Sequence, residues 1–417
     1  MTSKLAIHGG PKTRKVKMPS RYSFGKNENK EIKKMIAYYR SRGEDPKYAG
    51  LWEKKYCLEF SKYMGGGYSD AVATGTGAIY VAMKSLEIEK GSDVIMSPVT
   101  CSGNFSCITE QGLNPIVADS SKNSYNTNLE NIKKKITNKT KLIQLTHVGG
   151  EPVKDIKKIA NFAKKNKIYL LEDCSQAIGA MINGKYVGSF GDISAFSTMY
   201  RKNLAANSSS GIVFTKNYNL FKKVLAYADR GKILWNENLD LRDPKHSLFP
   251  ALNWNTDEFS CAMGLANLKR LKKTNNNRVI FVKKLINLFK KKNINSCKIE
   301  NFHNGYSPFY LPITYNKNIL KISKKNFGKH LSDEGIPIGI NYGCVVSEWK
   351  WAKKYLKPKF KTFNAIEFRD NCFHLYLNEN YKNNEAKDIA DAITKIEKFY
   401  EKKKNSFIRK VYKKKIS

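Results

Sequence analysis

The 417-residue chain contains no run approaching the roughly 18 consecutive apolar residues that a membrane span requires. Its opening, MTSKLAIHGGPK, lacks the apolar core of a secretory leader. The expectation is a cytoplasmic protein with no membrane span. Cysteine pairing is missing as well: Cys57, Cys101, Cys107, Cys174, Cys261, Cys297, Cys344 and Cys372 are scattered, and none forms a C-x-x-C. That pattern predicts reduced thiols and excludes both a disulfide framework and a zinc ribbon. Histidine is scarce, six in all and dispersed, which argues against a metal cluster. Acid is scarce too, 36 residues against 75 basic ones, for a formal charge of +39. Lysine dominates that excess and is spread over the whole length, whereas nucleic-acid binders concentrate charge in a stripe and favour arginine. A solvated surface without a nucleic-acid partner is the expectation, with a field that attracts anionic small substrates.

What is present is enough apolar material for two cores, 41% hydrophobic and 12% aromatic, in a chain longer than one core sustains. The pattern predicts an extended arm over 1–24, a large domain over 25–255, a linking helix over 256–277, a small domain over 278–400 and a basic tail over 401–417. Helical spacing covers Lys26 to Arg42 and Leu51 to Met64. Short apolar runs at Asp70–Ala73, Asp93–Met96, Asn114–Ala118, Lys141–Thr146 and Ile168–Leu171 then alternate with helical stretches. Such alternation predicts βαβ units and a mostly parallel sheet, in an α/β/α large domain, with ligands at the strand carboxyl ends. From 256 onward the spacing predicts helices over Thr256–Leu271 and Val279–Lys292. Strands follow at Phe309–Ile313 and Ile336–Ile340, then a final helix over Glu385–Tyr400, an α+β domain.

The chemistry gathers in Ile168–Gly211. Four apolar residues stop at Glu172-Asp173, and a lone Lys202 follows on a polar loop. An acid at a strand end and an amine on a loop suit a Schiff-base lysine and a carboxylate that tunes the attached ring. Gly75-Thr76-Gly77, between a strand and a helix, reads as backbone donors for a phosphate or simply as a tight turn. Ser197 offers that phosphate a hydroxyl, and Gln176 offers a ring oxygen an amide. His147 reads equally as a ring contact or as a satisfied core histidine.

The sequence GTGA, a Pro-x-Thr segment ending at Thr100, H-x-G-G-x-P, E-D-x-x-Q-x-x-G-A, G-D-x-x-x-F-S and S-x-x-x-x-K-N-L, in that order, resembles the DegT-type sugar aminotransferases. These are pyridoxal phosphate (PLP) enzymes of the aspartate-aminotransferase fold. The resemblance implies transfer of an amino group, usually from glutamate, to a keto sugar nucleotide. It implies that Lys202 carries the cofactor, Asp173 meets the pyridine nitrogen, Gln176 the ring oxygen and Ser197 the phosphate. It also implies a homodimer in which Asn253 reaches the neighbouring subunit's phosphate.

Three departures stand out. Cys101 occupies the usual position of a ring-stacking aromatic, which leaves Phe105 as a substitute. The loop Asn207-Ser208-Ser209-Ser210-Gly211 replaces a glycine-rich turn, and Asn255 stands where an arginine is expected. Two rival readings remain: a sugar dehydratase on the same scaffold, whose members carry histidine in place of the lysine, and a non-catalytic basic binding protein.

Overall fold

The computed structural model describes residues 4–236 and 238–416, with side chains up to Glu401. Twelve strands are present among them: β1 (Tyr68–Val72), β2 (Asp93–Met96), β3 (Asn114–Val117), β4 (Thr140–Thr146), β5 (Tyr169–Asp173), β6 (Met181–Ile182), β7 (Lys185–Tyr186), β8 (Ile193–Ser197), β9 (Gly211–Thr215), β10 (Cys297–Lys298), β11 (Leu311–Tyr315) and β12 (Cys372–Leu375). Seven form one sheet in the order β1-β9-β8-β5-β4-β2-β3. Only β9 runs against its neighbours, pairing antiparallel with both β1 and β8. The remaining pairs are parallel. β6 and β7 make a separate small hairpin.

The sheet is covered on both faces, as a parallel sheet built from crossovers must be. Leu142, Ile143 and Leu145 of β4 are all fully buried. The helix Ile156–Lys165 supplies one cover, burying Ile156, Ile159 and Ala163 at the spacing of a single helical face. The expected three-layer α/β/α architecture is therefore present. β8 and β9 have no counterpart in the sequence reading.

Two predicted helices, Thr256–Leu271 and Val279–Lys292, are one: a continuous helix runs from Glu258 to Lys291, capped by the Asp257 side chain. The Asn-rich middle reads as a break because its propensity is poor, but tertiary bonds hold it helical. Asn275 donates to Ile178 O at 2.9 Å and accepts from Asn203 Nδ2 at 3.0 Å. Arg278, one turn on, is buried against Asn203, Pro308 and Glu379. In the small domain β10-β11-β12 form an antiparallel sheet over a core that includes Phe281, Leu285, Phe327, Phe373 and Ile393. The predicted strand Ile336–Ile340 is not one. Pro337 has no N–H to donate, and the segment touches the sheet through one bridge, Gly339 to His374; β12 fills the third place. The closing helix spans Asn383–Ile416, so the backbone of the expected tail is helical, while its side chains past Glu401 lie outside the described residues. No helix among the described residues is long and apolar enough to cross a membrane.

Candidate active site

Because β1, β2, β4, β5 and β8 run in the same direction, their carboxyl ends share one edge of the sheet. That edge carries Thr74–Thr76, Ser97–Thr100, His147, Asp173 and Ser197. The two acids that end β5 point to opposite sides, as consecutive strand residues must, and they have different surroundings.

Glu172 is fully buried. One of its oxygens accepts from the amides of Phe190 and Gly191 at 2.8 and 2.7 Å. The other accepts from Gly188 N at 2.8 Å and faces His147 Nε2 at 3.1 Å. Burial pushes this carboxyl up, but the bonds to His147 and to the loop amides outweigh it and hold the group below the ordinary carboxylate range. His147 Nδ1 accepts from Val153 N at 2.9 Å, so the bond to Glu172 is donated by Nε2–H. Both ring nitrogens are thus engaged by protein, which fits the core-histidine reading. Cys174 lies near enough that ligand-type atoms of the three residues fall within 4.8 Å, yet these bonds already satisfy the acid and the imidazole.

Asp173 faces the site. Its Oδ2 accepts from Asn104 Nδ2 at 2.8 Å and its Oδ1 from Ser175 N at 3.0 Å, leaving lone pairs for a ligand. Lys202 stands opposite, its ammonium 4.6 Å from the Phe309 ring centre. Burial draws the amine below the ordinary lysine range against the opposing charge of Asp173, the direction that favours a nucleophilic amine. The loop around it is gripped from outside the large domain. Arg21 donates to the carbonyls of Tyr200, Lys202 and Asn203 at 3.1, 2.5 and 3.0 Å, while Glu379 ties Arg21 to Arg278. Sequence reasoning missed this clamp, whose members lie far apart in the chain.

The turn expected to hold a phosphate brings Gly75 and Ser197 together, while the Gly77 amide is taken up by protein. Thr74 caps the helix Gly75–Lys84, and its hydroxyl takes the Gly77 amide at 2.7 Å. The Gly75 and Thr76 amides, the first two of that helix, are the pair with no intrahelical acceptor. A Cβ on Gly75 would stand 2.4 Å from Ser197 Cβ and 2.7 Å from its Oγ, so glycine is needed where the turn meets Ser197. The Ser-rich loop closes the same corner: Ser209 Oγ donates to Ala73 O at 2.9 Å, and a Cβ on Gly211 would meet Thr74 O at 2.4 Å.

The other candidates are placed as follows. Thr100 joins the edge to the small domain, its hydroxyl 2.9 Å from that of Thr146 and its amide donating to Cys344 O at 3.0 Å. Cys101 is exposed at the start of the helix Ser102–Glu110. Phe105 packs edge-on against Trp351 at 5.2 Å and Tyr355 at 5.7 Å, so it is committed to the core. Gln176 accepts from Gly149 N at 2.8 Å and donates to Tyr342 OH at 3.3 Å, leaving one amide hydrogen. Tyr342 leads into a buried box with Tyr125, Tyr310 and His374; burial pushes His374 down to about 3, and its Nε2 meets Tyr125 OH at 2.8 Å. Asn253 lies apart, exposed on the surface, and its Oδ1 accepts from both nitrogens of Asn255, the residue that replaces the expected arginine. Beside Asn255 opens a cavity of about 680 Å³ lined by Glu53, Asp70, Tyr218 and Trp235.

A desolvated amine that feels the charge of Asp173, with a helix-start turn and a serine hydroxyl among the same strand ends, fits a cofactor that carries an aldehyde, a basic ring nitrogen and a phosphate. The chain is 32% identical over 247 residues to the GDP-perosamine synthase of Escherichia coli, covering 59% of this chain and 64% of the relative. It is 29% identical over 237 residues to a GDP-4-keto-6-deoxy-D-mannose 3-dehydratase of Yersinia pseudotuberculosis, covering 52% and 59%. The matches thus span less than two thirds of these relatives. Among solved structures, an aminotransferase from Psychrobacter cryohalolentis superposes with a TM-score of 0.82 at 23% identity, over 91% of this chain and 98% of the other. The family description matches residues 30–394, nearly the whole chain, and the chain belongs to the DegT/DnrJ/EryC1/StrS aminotransferase family.

Proposed function

We propose that the chain is a PLP-dependent aminotransferase that moves an amino group from an amino acid, L-glutamate being the first candidate, to the ketone of a keto sugar nucleotide. The observation that carries this reading is the opposition of Lys202 and Asp173, a desolvated amine and a bonded carboxylate beside the Gly75–Ser197 cradle. When bound, PLP supplies an electron sink for the carbon that loses a proton. Around it the chain supplies the rest. Lys202 carries the cofactor and moves the proton, Asp173 holds the ring nitrogen, and Gln176 offers its remaining N–H to the ring oxygen. Ser197 and the Gly75 and Thr76 amides hold the phosphate. Exposed Asn253, braced by Asn255, is assigned to a second copy's cradle, which makes a homodimer the working unit. The general positive field favours the diphosphate of the substrate, and the cytoplasm is the compartment proposed.

Assembly of surface polysaccharide or natural-product sugars is the proposed setting, in line with the sugar-nucleotide relatives. A panel of keto sugar nucleotides incubated with glutamate and read by mass spectrometry tests it, with 2-oxoglutarate release measured in parallel. An amino sugar product that vanishes in Lys202→Ala is expected. Purified protein that takes up no PLP would refute the reading, and a deoxy keto sugar that retains no nitrogen, formed with release of both 2-oxoglutarate and ammonia, would move it to the dehydratase.

A further inference from the structure

The strand β4 reads TKLIQLT, and the one polar residue among its apolar positions, Gln144, is 1% exposed. A buried glutamine in an apolar strand costs free energy unless its amide is fully used. Here it is half used: Gln144 Nε2 donates to Asn104 Oδ1, while Gln144 Oε1 has no partner. Asn104, equally buried at 1%, passes the contact on by donating to Asp173 Oδ2 at 2.8 Å. The direction of this chain is set at its end. A carboxylate only accepts, so Asn104 must turn its NH2 to Asp173 and its carbonyl to Gln144. Gln144 must then turn its own NH2 to Asn104, which strands its oxygen. An unpartnered buried carbonyl is therefore the cost of a fixed donor aimed at Asp173.

We infer that Asn104, oriented by Gln144, is a positioning residue that fixes Asp173 as an acceptor for the ring nitrogen of the cofactor. The inference rests on the assignment of Asp173 to that nitrogen made above. Ser175 N holds the other oxygen, so the carboxylate is pinned at both ends and cannot rotate away. Without Asn104, Oδ2 is free to turn toward other donors, and the cofactor loses a prearranged partner.

The test uses full-length protein stripped of PLP and then titrated with PLP alone. Two readouts are followed, the PLP affinity and the pH at which the visible band of the bound cofactor titrates. For Asn104→Ala, affinity falls about tenfold or more, the scale of one hydrogen bond to a charged group, and the pH midpoint shifts. Gln144→Met keeps the side-chain shape and exchanges the stranded Gln144 oxygen for a stranded Asn104 Oδ1, whose donor it removes. It leaves the unfolding midpoint of the cofactor-free protein about unchanged, yet weakens PLP severalfold. A residue of purely structural importance would lower stability and leave the pH midpoint in place. An Asn104→Ala protein within twofold of wild type in affinity, with the same midpoint, overturns the inference. Should Asn104→Ala fail to fold, an unchanged affinity and midpoint in Gln144→Met overturns it instead. Asp173→Asn separates the levels: if it also binds and titrates like wild type, the assignment of Asp173 falls and takes the inference with it. If it loses PLP while Asn104→Ala does not, only the inference falls.

Discussion

Glu172→Gln changes one atom, yet it strikes the most crowded acceptor at the site. The carboxylate serves two pairs of donors: Phe190 N and Gly191 N on one oxygen, Gly188 N and His147 Nε2 on the other. A glutamine has one oxygen, so whichever way it is placed one pair faces an NH2 group and loses its acceptor. Two orphaned buried donors at about 1–3 kcal/mol each give a loss of roughly 2–6 kcal/mol, a large part of the 5–15 kcal/mol that typically separates folded from unfolded protein. Urea denaturation of the cofactor-free proteins followed by tryptophan fluorescence measures it. The pH dependence supplies a second check. Glu172 is held below the ordinary glutamate value of 4.5, so the unfolded chain takes up the proton first on acidification. The stabilisation is complete above that unfolded value and is lost as pH falls through the lower folded one. The gap between wild type and variant should therefore be constant near neutrality and close below about pH 4.5. A variant within about 1 kcal/mol of wild type at pH 7, or a gap that widens with acid, refutes the argument.

Three further outcomes are expected. Gly75→Ala forces a methyl group against Ser197, at an overpacking cost of about 1–3 kcal/mol. Because the displaced atoms belong to the proposed phosphate cradle, the larger effect should be on PLP affinity; unaltered binding in a dialysis assay would contradict the proposal. Arg21→Ala removes three donors from the Lys202 loop, so trypsin should cleave after Arg201 or Lys202 several times faster than in wild type, and an equal rate would show that the clamp is idle. Asp70 is raised to about 7 by burial, with Asp229 adding to it. A carboxyl raised in the folded state lowers stability as pH climbs from the unfolded value through the folded one. Asp70→Asn should therefore be more stable than wild type at pH 8 and lose that advantage near pH 4, as followed by thermal melts at both values.

The sequence shows the chemistry of Ile168–Gly211 because its order is local: strand, acid, amide, hydroxyl and amine succeed one another within about forty residues. The Asp173 charge does act on the Lys202 amine, and Ser197 does meet the Gly75 turn. What stayed hidden is non-local. Asn104 and Gln144 lie on different elements and look like an unremarkable helix residue and a misplaced strand residue until the fold joins them. Arg21 sits in an arm that reads as irregular, and its partners are carbonyl groups, which no pattern of side chains announces. The helical middle of 258–291 was hidden for a similar reason, since the bonds that hold Asn275 and Arg278 come from residues 178, 203, 308 and 379. β12 and the failed strand at 336–340 show a weaker signal still: both are short apolar runs, and the second, with Pro337 in it, makes only a single bridge to the free side of β12.

That unbroken helix has a mechanical consequence. Thirty-four residues at about 1.5 Å each make a rod some 50 Å long, with its first half packed in the large domain and its second half in the small one. Such a rod has no swivel at the junction. Cutting the chain at 277 would sever a beam rather than a hinge and leave each half with an open apolar stripe. A swing of the small domain toward the sheet edge would have to bend the beam or arise in the loops at 299–310 and 336–345. Stiffness of this kind passes strain efficiently, so a push on the helix within the small domain reaches Arg278, and through Asn203 the neighbouring Lys202, as a displacement rather than being absorbed on the way.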